Sequence, residues 1–118
     1  MSAVGTFQSV SPTLFDKAKF ALVNIECFYA GRELKIMPDS TFVLTDSTNI
    51  QTGKWNQDDD LIGLHFLGNK YKSDSLLNIY GNPKIPSEDY SLKWNNTDLY
   101  YYRDNAKVKC VEIFKIKD

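Results

Sequence analysis

The stretch of sequence that decides the fold runs from Leu34 to Phe66 and is LKIMPDSTFVLTDSTNIQTGKWNQDDDLIGLHF. Apolar and polar residues alternate along three runs of it, and a period of two is typical of a strand with one buried face. Turn-forming residues separate the runs at 38–40 and at 56–60. Short strands joined by tight turns pair antiparallel with their neighbours in the chain. The stretch therefore predicts the middle of an up-and-down antiparallel sheet.

Strand patterns also fill most of the remaining chain, at residues 4–10, 20–29, around 71, and at 76–80, 90–94, 99–103 and 107–117. One short N-terminal helix, from Pro12 to Lys17, is predicted where serine and proline precede apolar residues at helical spacing. A total of roughly eight to ten strands is more than a flat sheet usually holds without curling. Because closure removes the unpaired edges, we expect an all-β protein, an antiparallel up-and-down β-barrel that forms a single domain over residues 1–118.

Charge and composition limit the classes of partner. The chain carries 14 basic and 15 acidic residues, for a net charge of −1. Proteins that bind nucleic acids use a basic surface to neutralise phosphates, so we expect no nucleic-acid partner. No apolar run approaches the ~20 residues that a membrane-spanning helix needs, so no transmembrane segment is expected. The start of the sequence lacks the features of a signal peptide. A cytoplasmic location is expected, or a periplasmic or cell-envelope one if a signal peptide was removed.

Few residues favour catalysis or metal binding. His65 is the one histidine, and no nucleophile motif accompanies it, so we expect it on the solvent face. The aspartates at 58–60 lack the spacing of a calcium loop. We therefore expect no catalytic residue, no metal, no cofactor and no enzymatic activity. Cys27 and Cys110 form no metal motif, and two buried free thiols are favoured over a disulfide, which stays open.

The last two strand patterns predict a hairpin whose faces can be assigned. A two-residue loop at Asn105 and Ala106 sets three pairs opposite each other: Arg103 with Val108, Tyr101 with Cys110, and Leu99 with Glu112. We assign the face with more apolar side chains to the interior. It comprises Leu99, Tyr101, Arg103, Val108, Cys110, Glu112, Phe114 and Ile116. The opposite face, with Tyr100, Val111 and Ile113, is also largely apolar.

Two charges, those of Arg103 and Glu112, point into the barrel in this assignment. Buried charges are tolerated when they are paired and hydrogen-bonded, and Tyr101 lies between the two. They could hold the polar end of a ligand. The alternative is that each lies at a barrel rim in water, because charged residues are seldom buried. Trp55 follows Gly53, a glycine typical of a bend, and we expect the indole in the core.

Four motifs give the chain a family resemblance, namely Gly5-Thr6-Phe7, Pro38-Asp39-Ser40-Thr41-Phe42, Gly53-Lys54-Trp55 and the strand Ile62 to Phe66. In these it resembles the lipocalin-like, calycin-type small β-barrels of bacterial envelope proteins, many of which have no assigned activity. The resemblance implies a cavity for a small apolar molecule, or a rigid binding module. The matched motifs contain no ligand residue of the family.

We therefore expect a non-enzymatic binding module for a small apolar or amphipathic molecule in the barrel lumen. The predicted ligand-binding residues are Tyr101, Arg103, Glu112 and Trp55. The alternative is a protein-protein interaction module, similar to a protease-inhibitor-like barrel, with a protein partner. It would present the loop at 81–87, which contains two prolines and a glycine.

Overall fold

Nine strands and two short helices make up the described part of the chain. The computed structural model describes residues 3–20, 25, 27–105 and 108–117. The elements are β1 (Gly5–Ser9), α1 (Leu14–Phe20), β2 (Cys27–Tyr29), β3 (Glu33–Ile36), β4 (Thr41–Thr45), β5 (Asn49–Asp58), β6 (Leu61–Tyr71), α2 (Asp74–Tyr80), β7 (Tyr90–Trp94), β8 (Asp98–Asn105) and β9 (Val108–Ile116). Neither helix is long and apolar enough to cross a membrane.

Eight of the strands form a closed antiparallel barrel in the order β1-β3-β4-β5-β6-β7-β8-β9. Closure comes from β9, whose residues Phe114 to Ile116 pair with β1 from Ser9 back to Phe7. The predicted all-β class and the antiparallel β-barrel are confirmed.

β2 departs from the up-and-down order. It runs parallel to β9, with Cys27 opposite Cys110 and Tyr29 opposite Glu112. Because β1 pairs with only the last residues of β9, the earlier part of that strand has an open edge, and β2 occupies it. Of the strand predicted over 20–29, residues 27–29 are confirmed and Phe20 instead ends α1; residues 21–24 and 26 lie outside the described residues.

The second helix replaces a strand predicted over 76–80. The Oγ of Ser73 accepts a hydrogen bond from the Leu76 N–H at 3.5 Å, and Gly81, with a φ of 74°, ends the helix. Serine at the start and glycine at the end are the usual boundary residues of a helix, so the sequence did contain the signal. The N-terminal helix is present, with bounds shifted from the predicted ones to Leu14–Phe20.

Apolar side chains from seven of the eight strands fill the barrel interior, and the half-buried Trp55 of β5 packs against them. Phe7 contacts Trp94 edge-on at a centroid distance of 5.9 Å, and Phe42 contacts Phe66 in the same way at 5.2 Å. The buried residues of this core are Ala3, Phe7, Leu34, Ile36, Phe42, Leu44, Ile62, Leu64, Phe66, Leu92, Trp94, Leu99 and Phe114. Interdigitated rings of this size leave the middle of the barrel packed.

In the β8–β9 hairpin the predicted face points to the interior, but the register of the strand pairing differs from the predicted one. Tyr101 lies opposite Glu112, and Arg103 lies opposite Cys110, so the predicted pairing is wrong by two residues. A shift of two keeps every side chain on its face, because strand side chains alternate. Leu99, Glu112 and Phe114 are accordingly buried inside.

The opposite face of the hairpin is covered as well. Tyr100, Val111 and Ile113 form a second buried cluster, against which Ile25 and Phe28 pack. This explains why both faces of β9 are apolar in the sequence. Ile116, assigned to the interior, is instead exposed where β9 ends.

The cysteines differ from expectation. Cys110 is buried and disulfide-bonded, and the described residues contain no free cysteine. The sequence has one other cysteine, Cys27, and the backbone register sets it opposite Cys110 on the parallel neighbour β2. The favoured prediction of two free thiols was therefore wrong.

Gly53 lies at the bend that the sequence predicted. The pairing of β5 with β6 shifts between Thr52 and Gly53, as at a β-bulge. A Cβ on Gly53 would overlap the carbonyl oxygen of His65 and lie 2.8 Å from Cε1 of Phe42. Trp55 packs against the core and donates from its indole nitrogen to the Met37 carbonyl at 2.8 Å, but it is half-buried rather than fully buried as expected.

The close approach at Gly53 generates a stability prediction. We expect Gly53→Ala to lower the free energy of unfolding by about 1–3 kcal/mol or more, because the added methyl meets backbone that cannot move independently. Gly68→Ala is the matched control, since the nearest atom to its Cβ is the rotatable Thr52 hydroxyl. Urea unfolding measures both. Equal losses in the two variants would contradict the bulge geometry.

Candidate functional site

An open cleft of about 550 Å³ lies at one end of the barrel. The β2–β3 connection and the β4–β5 turn form its two sides. Its lining residues are Tyr29, Ala30, Gly31, Arg32, Asp46, Ser47 and Glu112. A second cleft of about 300 Å³ shares Gly31, Arg32, Asp46 and Ser47 with it and adds Lys72, among others. The Gly31-Arg32 turn is therefore bordered by open space on two sides.

A buried ion pair forms the floor of the larger cleft. The Nε of Arg32 donates to both carboxylate oxygens of Glu112, at 2.9 and 3.2 Å, and Nη2 donates to Oε1 at 2.5 Å. The side chains are 12% and 0% exposed, respectively. A bidentate arrangement of this kind matches the planar guanidinium to the planar carboxylate and is among the stronger polar contacts in proteins.

Aromatic rings connect the ion pair to the core. The guanidinium carbon of Arg32 lies 5.5 Å from the ring centroid of Tyr90, within the range of a cation–π contact. Tyr90 stacks on Tyr101 at a centroid distance of 4.1 Å and meets Phe66 edge-on at 4.7 Å. The rings exclude water from one side of the pair and hold the guanidinium in one orientation.

The protonation of Arg32 follows from these contacts. Burial disfavours its charge, but the hydrogen bonds and the attraction of Glu112 outweigh burial, so the pKa of Arg32 is raised above its ordinary value. The guanidinium is charged at every accessible pH.

Ser9 holds the backbone that carries Arg32. Its buried hydroxyl accepts a hydrogen bond from the Arg32 N–H at 2.8 Å. Its main chain accepts from the Gly31 N–H at 3.1 Å and donates to the Arg32 carbonyl at 2.8 Å. Gly31 has a φ of 96°, a conformation that favours glycine. The end of β1 thus positions the turn from which Arg32 reaches into the barrel.

Asp46 forms the opposite side of the cleft. Its Oδ1 accepts from the backbone N–H groups of Thr48 and Asn49, at 2.8 and 2.6 Å, and so closes the β4–β5 turn. Burial tends to raise the pKa of this carboxyl, but the two backbone donors, the Thr48 hydroxyl and the attraction of Arg32 prevail and lower it. Asp46 is therefore a fixed negative charge at neutral pH.

The structure brings together some of the predicted site residues. Glu112 forms the cleft floor, and Tyr101 reaches the site through Tyr90. Trp55 does not line either of these two clefts. The Arg103 side chain lies outside the described residues, so the predicted pairing of Arg103 with Glu112 stays a prediction.

Sequence reasoning did not identify Arg32 as a site residue. A buried carboxylate at 112 requires a cationic partner, and that requirement was the available signal. That requirement alone does not identify which of the chain's two arginines is the partner, because the contact joins residues 80 positions apart. Ser9 was missed for the same reason, since its role depends on a tertiary contact with Arg32.

The remaining candidates of the sequence lie elsewhere. His65 is exposed, as expected, and its Nδ1 lies 2.8 Å from Oδ1 of the exposed Asp89. Within the part of the chain that the structure describes, no three His, Cys, Asp or Glu side chains are grouped to hold a metal ion. Comparisons with protein-family models, with curated proteins and with solved structures give no match.

The ion pair generates a prediction about stability. Arg32→Met and Glu112→Leu should each lower the free energy of unfolding by about 3–5 kcal/mol, because each removes one half of a buried ion pair. The double variant should recover much of that loss, since apolar residues of similar volume suit a buried site. Chemical denaturation of the four proteins in the cycle gives the coupling energy.

An exposed pair provides the control for that cycle. Lys117 and Glu33 lie 3.0 Å apart with side chains 49% and 31% exposed. Lys117→Met and Glu33→Leu should couple by only about 0–1 kcal/mol. Coupling at Arg32 and Glu112 that is no larger than this would contradict a buried, mutually dependent pair.

The lowered pKa of Asp46 predicts a pH effect of known sign. A carboxyl whose folded pKa lies below its unfolded value adds stability above the unfolded pKa, and that stability is lost as pH falls through the folded pKa. Asp46→Asn keeps an oxygen acceptor in the turn but removes the titration. We expect the variant to lose less stability than the wild type between about pH 6 and pH 3, measured by urea unfolding. Equal losses would contradict the role of the charge.

Proposed function

We propose that the chain is a non-enzymatic binding module with a lipocalin-like barrel, and that its cleft takes the polar head of a small amphipathic molecule. The observation that carries the proposal is the cleft of about 550 Å³ above the buried Arg32–Glu112 pair. Its volume lies within the roughly 300–1,000 Å³ of ordinary ligand sites. A few fixed polar groups beside aromatic surface are typical of such sites.

The packed core supports a site at the barrel end rather than along its axis. Phe66 contacts both Phe42 and Tyr90 edge-on where a lumen ligand would lie. A lumen site would require these rings to separate, which close packing opposes. The proposed ligand therefore enters from solvent and stops above Arg32.

The charges of the cleft favour a cationic head. Asp46 and Glu112 supply two carboxylates, whereas Arg32 supplies one guanidinium. Tyr29 adds an aromatic ring that is 37% exposed, and aromatic faces attract ammonium groups. In this account Asp46 and Tyr29 contact the cationic head, while Arg32, neutralised by Glu112 behind it, closes the cleft floor.

The disulfide supports the proposal that the protein resides in an oxidising compartment. Disulfides persist in secreted and periplasmic proteins and are rare in the reducing cytosol. The bond at the buried Cys110 is thus consistent with a periplasmic or cell-envelope location and speaks against a cytoplasmic one. Cys110 lies two residues from Glu112 on the same face of β9, so the bond also braces the strand that carries the cleft floor.

Calorimetric titration with two amphiphiles of equal chain length tests the proposal. Decyltrimethylammonium should bind about tenfold or more tightly than decyl sulfate, a difference of about 1.4 kcal/mol, when both are kept below their micellar concentrations. Asp46→Asn should reduce that preference, because it removes one of the two carboxylates. Ser47→Trp should abolish binding by filling the cleft.

Ser91→Trp, at an exposed position of β7 outside the cleft, is the control for added bulk. It should bind decyltrimethylammonium as the wild type does. Equal binding of the two amphiphiles, or undiminished binding by Ser47→Trp, would overturn the proposed site.

A further inference from the structure

Two charged side chains that border the candidate cleft have no ion-pair partner among the described residues. They are Asp46, in the β4–β5 turn, and Lys72, the residue after β6, which lines the adjoining smaller cleft. None of the ion pairs between described side chains includes either residue, so the two do not pair with each other. One negative and one positive charge are therefore left for a ligand.

The other charged residues that line the two clefts are neutralised within the protein. Arg32 is bonded to Glu112 on the floor of the larger cleft. Glu33, on the smaller cleft, has one carboxylate oxygen 3.0 Å from Nζ of Lys117 and the other 3.8 Å from Nζ of Lys35. The two unpaired charges therefore determine the charge pattern that a ligand meets.

The backbone brings these two charges to the same turn. The Lys72 N–H donates to the Thr48 carbonyl at 2.8 Å, which joins the end of β6 to the β4–β5 turn. Asp46 closes that turn through Oδ1, and its Oδ2 accepts no hydrogen bond from a described residue. The Asp46 residue is half-buried, whereas Lys72 is exposed. The negative charge is thus the deeper of the two, and the positive charge lies nearer the solvent.

The two clefts are continuous with each other. They share the residues Gly31, Arg32, Asp46 and Ser47. A Cβ on Gly31 would meet no atom within 4 Å, so open space surrounds the turn that borders both clefts. A ligand head can therefore extend from the cleft of about 550 Å³ into the one of about 300 Å³.

We infer that the head of the ligand is a zwitterion in which a short linker joins an ammonium group to a phosphate, as in phosphocholine. The inference rests on the proposed function, whose ammonium site at Asp46 and Tyr29 it keeps. The phosphate lies in the smaller cleft against Lys72, since lysine binds phosphate as a point charge. In a phosphocholine amphiphile the ammonium is terminal and the phosphate joins it to the chain. The deeper charge of the protein thus meets the terminal charge of the ligand.

A head with a single charge matches the two clefts less well. A cation alone leaves Lys72 without a counterion and is repelled by it. An anion alone meets the carboxylate of Asp46 where the clefts adjoin. A zwitterion pairs with both residues and adds no net charge to the site.

Calorimetric titration with decylphosphocholine and decyltrimethylammonium, both below their micellar concentrations, tests the inference. The wild type should bind decylphosphocholine about threefold or more tightly, because only this amphiphile places an anion beside Lys72. Lys72→Gln should weaken binding of decylphosphocholine about threefold or more. The same variant should strengthen binding of decyltrimethylammonium, since it removes a repelling charge. Loss of a merely structural lysine would weaken both.

Lys70→Gln is the matched control, because Lys70 is an exposed lysine of β6 that lines neither cleft. It should keep the preference for decylphosphocholine. Phosphocholine without a chain distinguishes the two sources of such a head. Binding about tenfold or more weaker than that of decylphosphocholine assigns the site to an amphiphile, since the chain then adds apolar contact. Equal binding keeps the zwitterion and assigns a free soluble head group.

The outcomes separate this inference from the proposed function. Binding of decyltrimethylammonium without any preference for decylphosphocholine would overturn the inference and leave the proposed function standing. Absence of binding by either amphiphile would overturn both. Equal losses of decylphosphocholine binding in Lys72→Gln and Lys70→Gln would overturn the inference, because the phosphate would then respond to general surface charge.

Discussion

The buried carboxylate of Glu112 is the constraint on which the cleft end of the barrel depends. A carboxylate with no exposed surface requires a paired cation, and the described structure supplies Arg32 from the β2–β3 connection. That contact reaches from the turn before β3 to the strand that closes the barrel. Tyr90 and Tyr101 cover the pair from the core side, and Ser9 holds the backbone of Arg32 from β1. Removing the ion pair would therefore disturb the closure of the barrel, the turn at Gly31-Arg32 and the cleft together.

Barrel closure and the cleft both result from the difference in length between β1 and β9. β1 is shorter than β9 and pairs only with its last residues, so β2 fills the remaining edge in parallel. The chain must then return from β2 to β3 through Ala30, Gly31 and Arg32, and this connection forms one side of the cleft. The β6–β7 connection begins at the same end, since Lys72, the residue after β6, lines the neighbouring cleft.

Much of the architecture could be predicted from local patterns, whereas the site could not. Alternation and turn residues from Leu34 to Phe66 were sufficient for the central strands, and Gly53 marked the bend. The 76–80 segment was misassigned because a short apolar run fits strand and helix alike, and only its flanking Ser73 and Gly81 distinguish them. Residues 27–29 alternate as any strand does, so their parallel pairing was not visible. The partner of Glu112 lies far away in sequence, and no local pattern identifies Arg32.

Hydrogen exchange of the Arg32 side chain tests the central claim most directly. A guanidinium that is bonded to a buried carboxylate and covered by a tyrosine ring should exchange its Nε proton slowly. In an NMR spectrum at neutral pH the account predicts a resolved, slowly exchanging Nε–H signal that is absent in Arg32→Lys. The signal should exchange rapidly in Glu112→Gln, because the neutral amide accepts more weakly than the carboxylate. An Arg32 signal that exchanges as fast as free arginine in the wild type would contradict the buried pair.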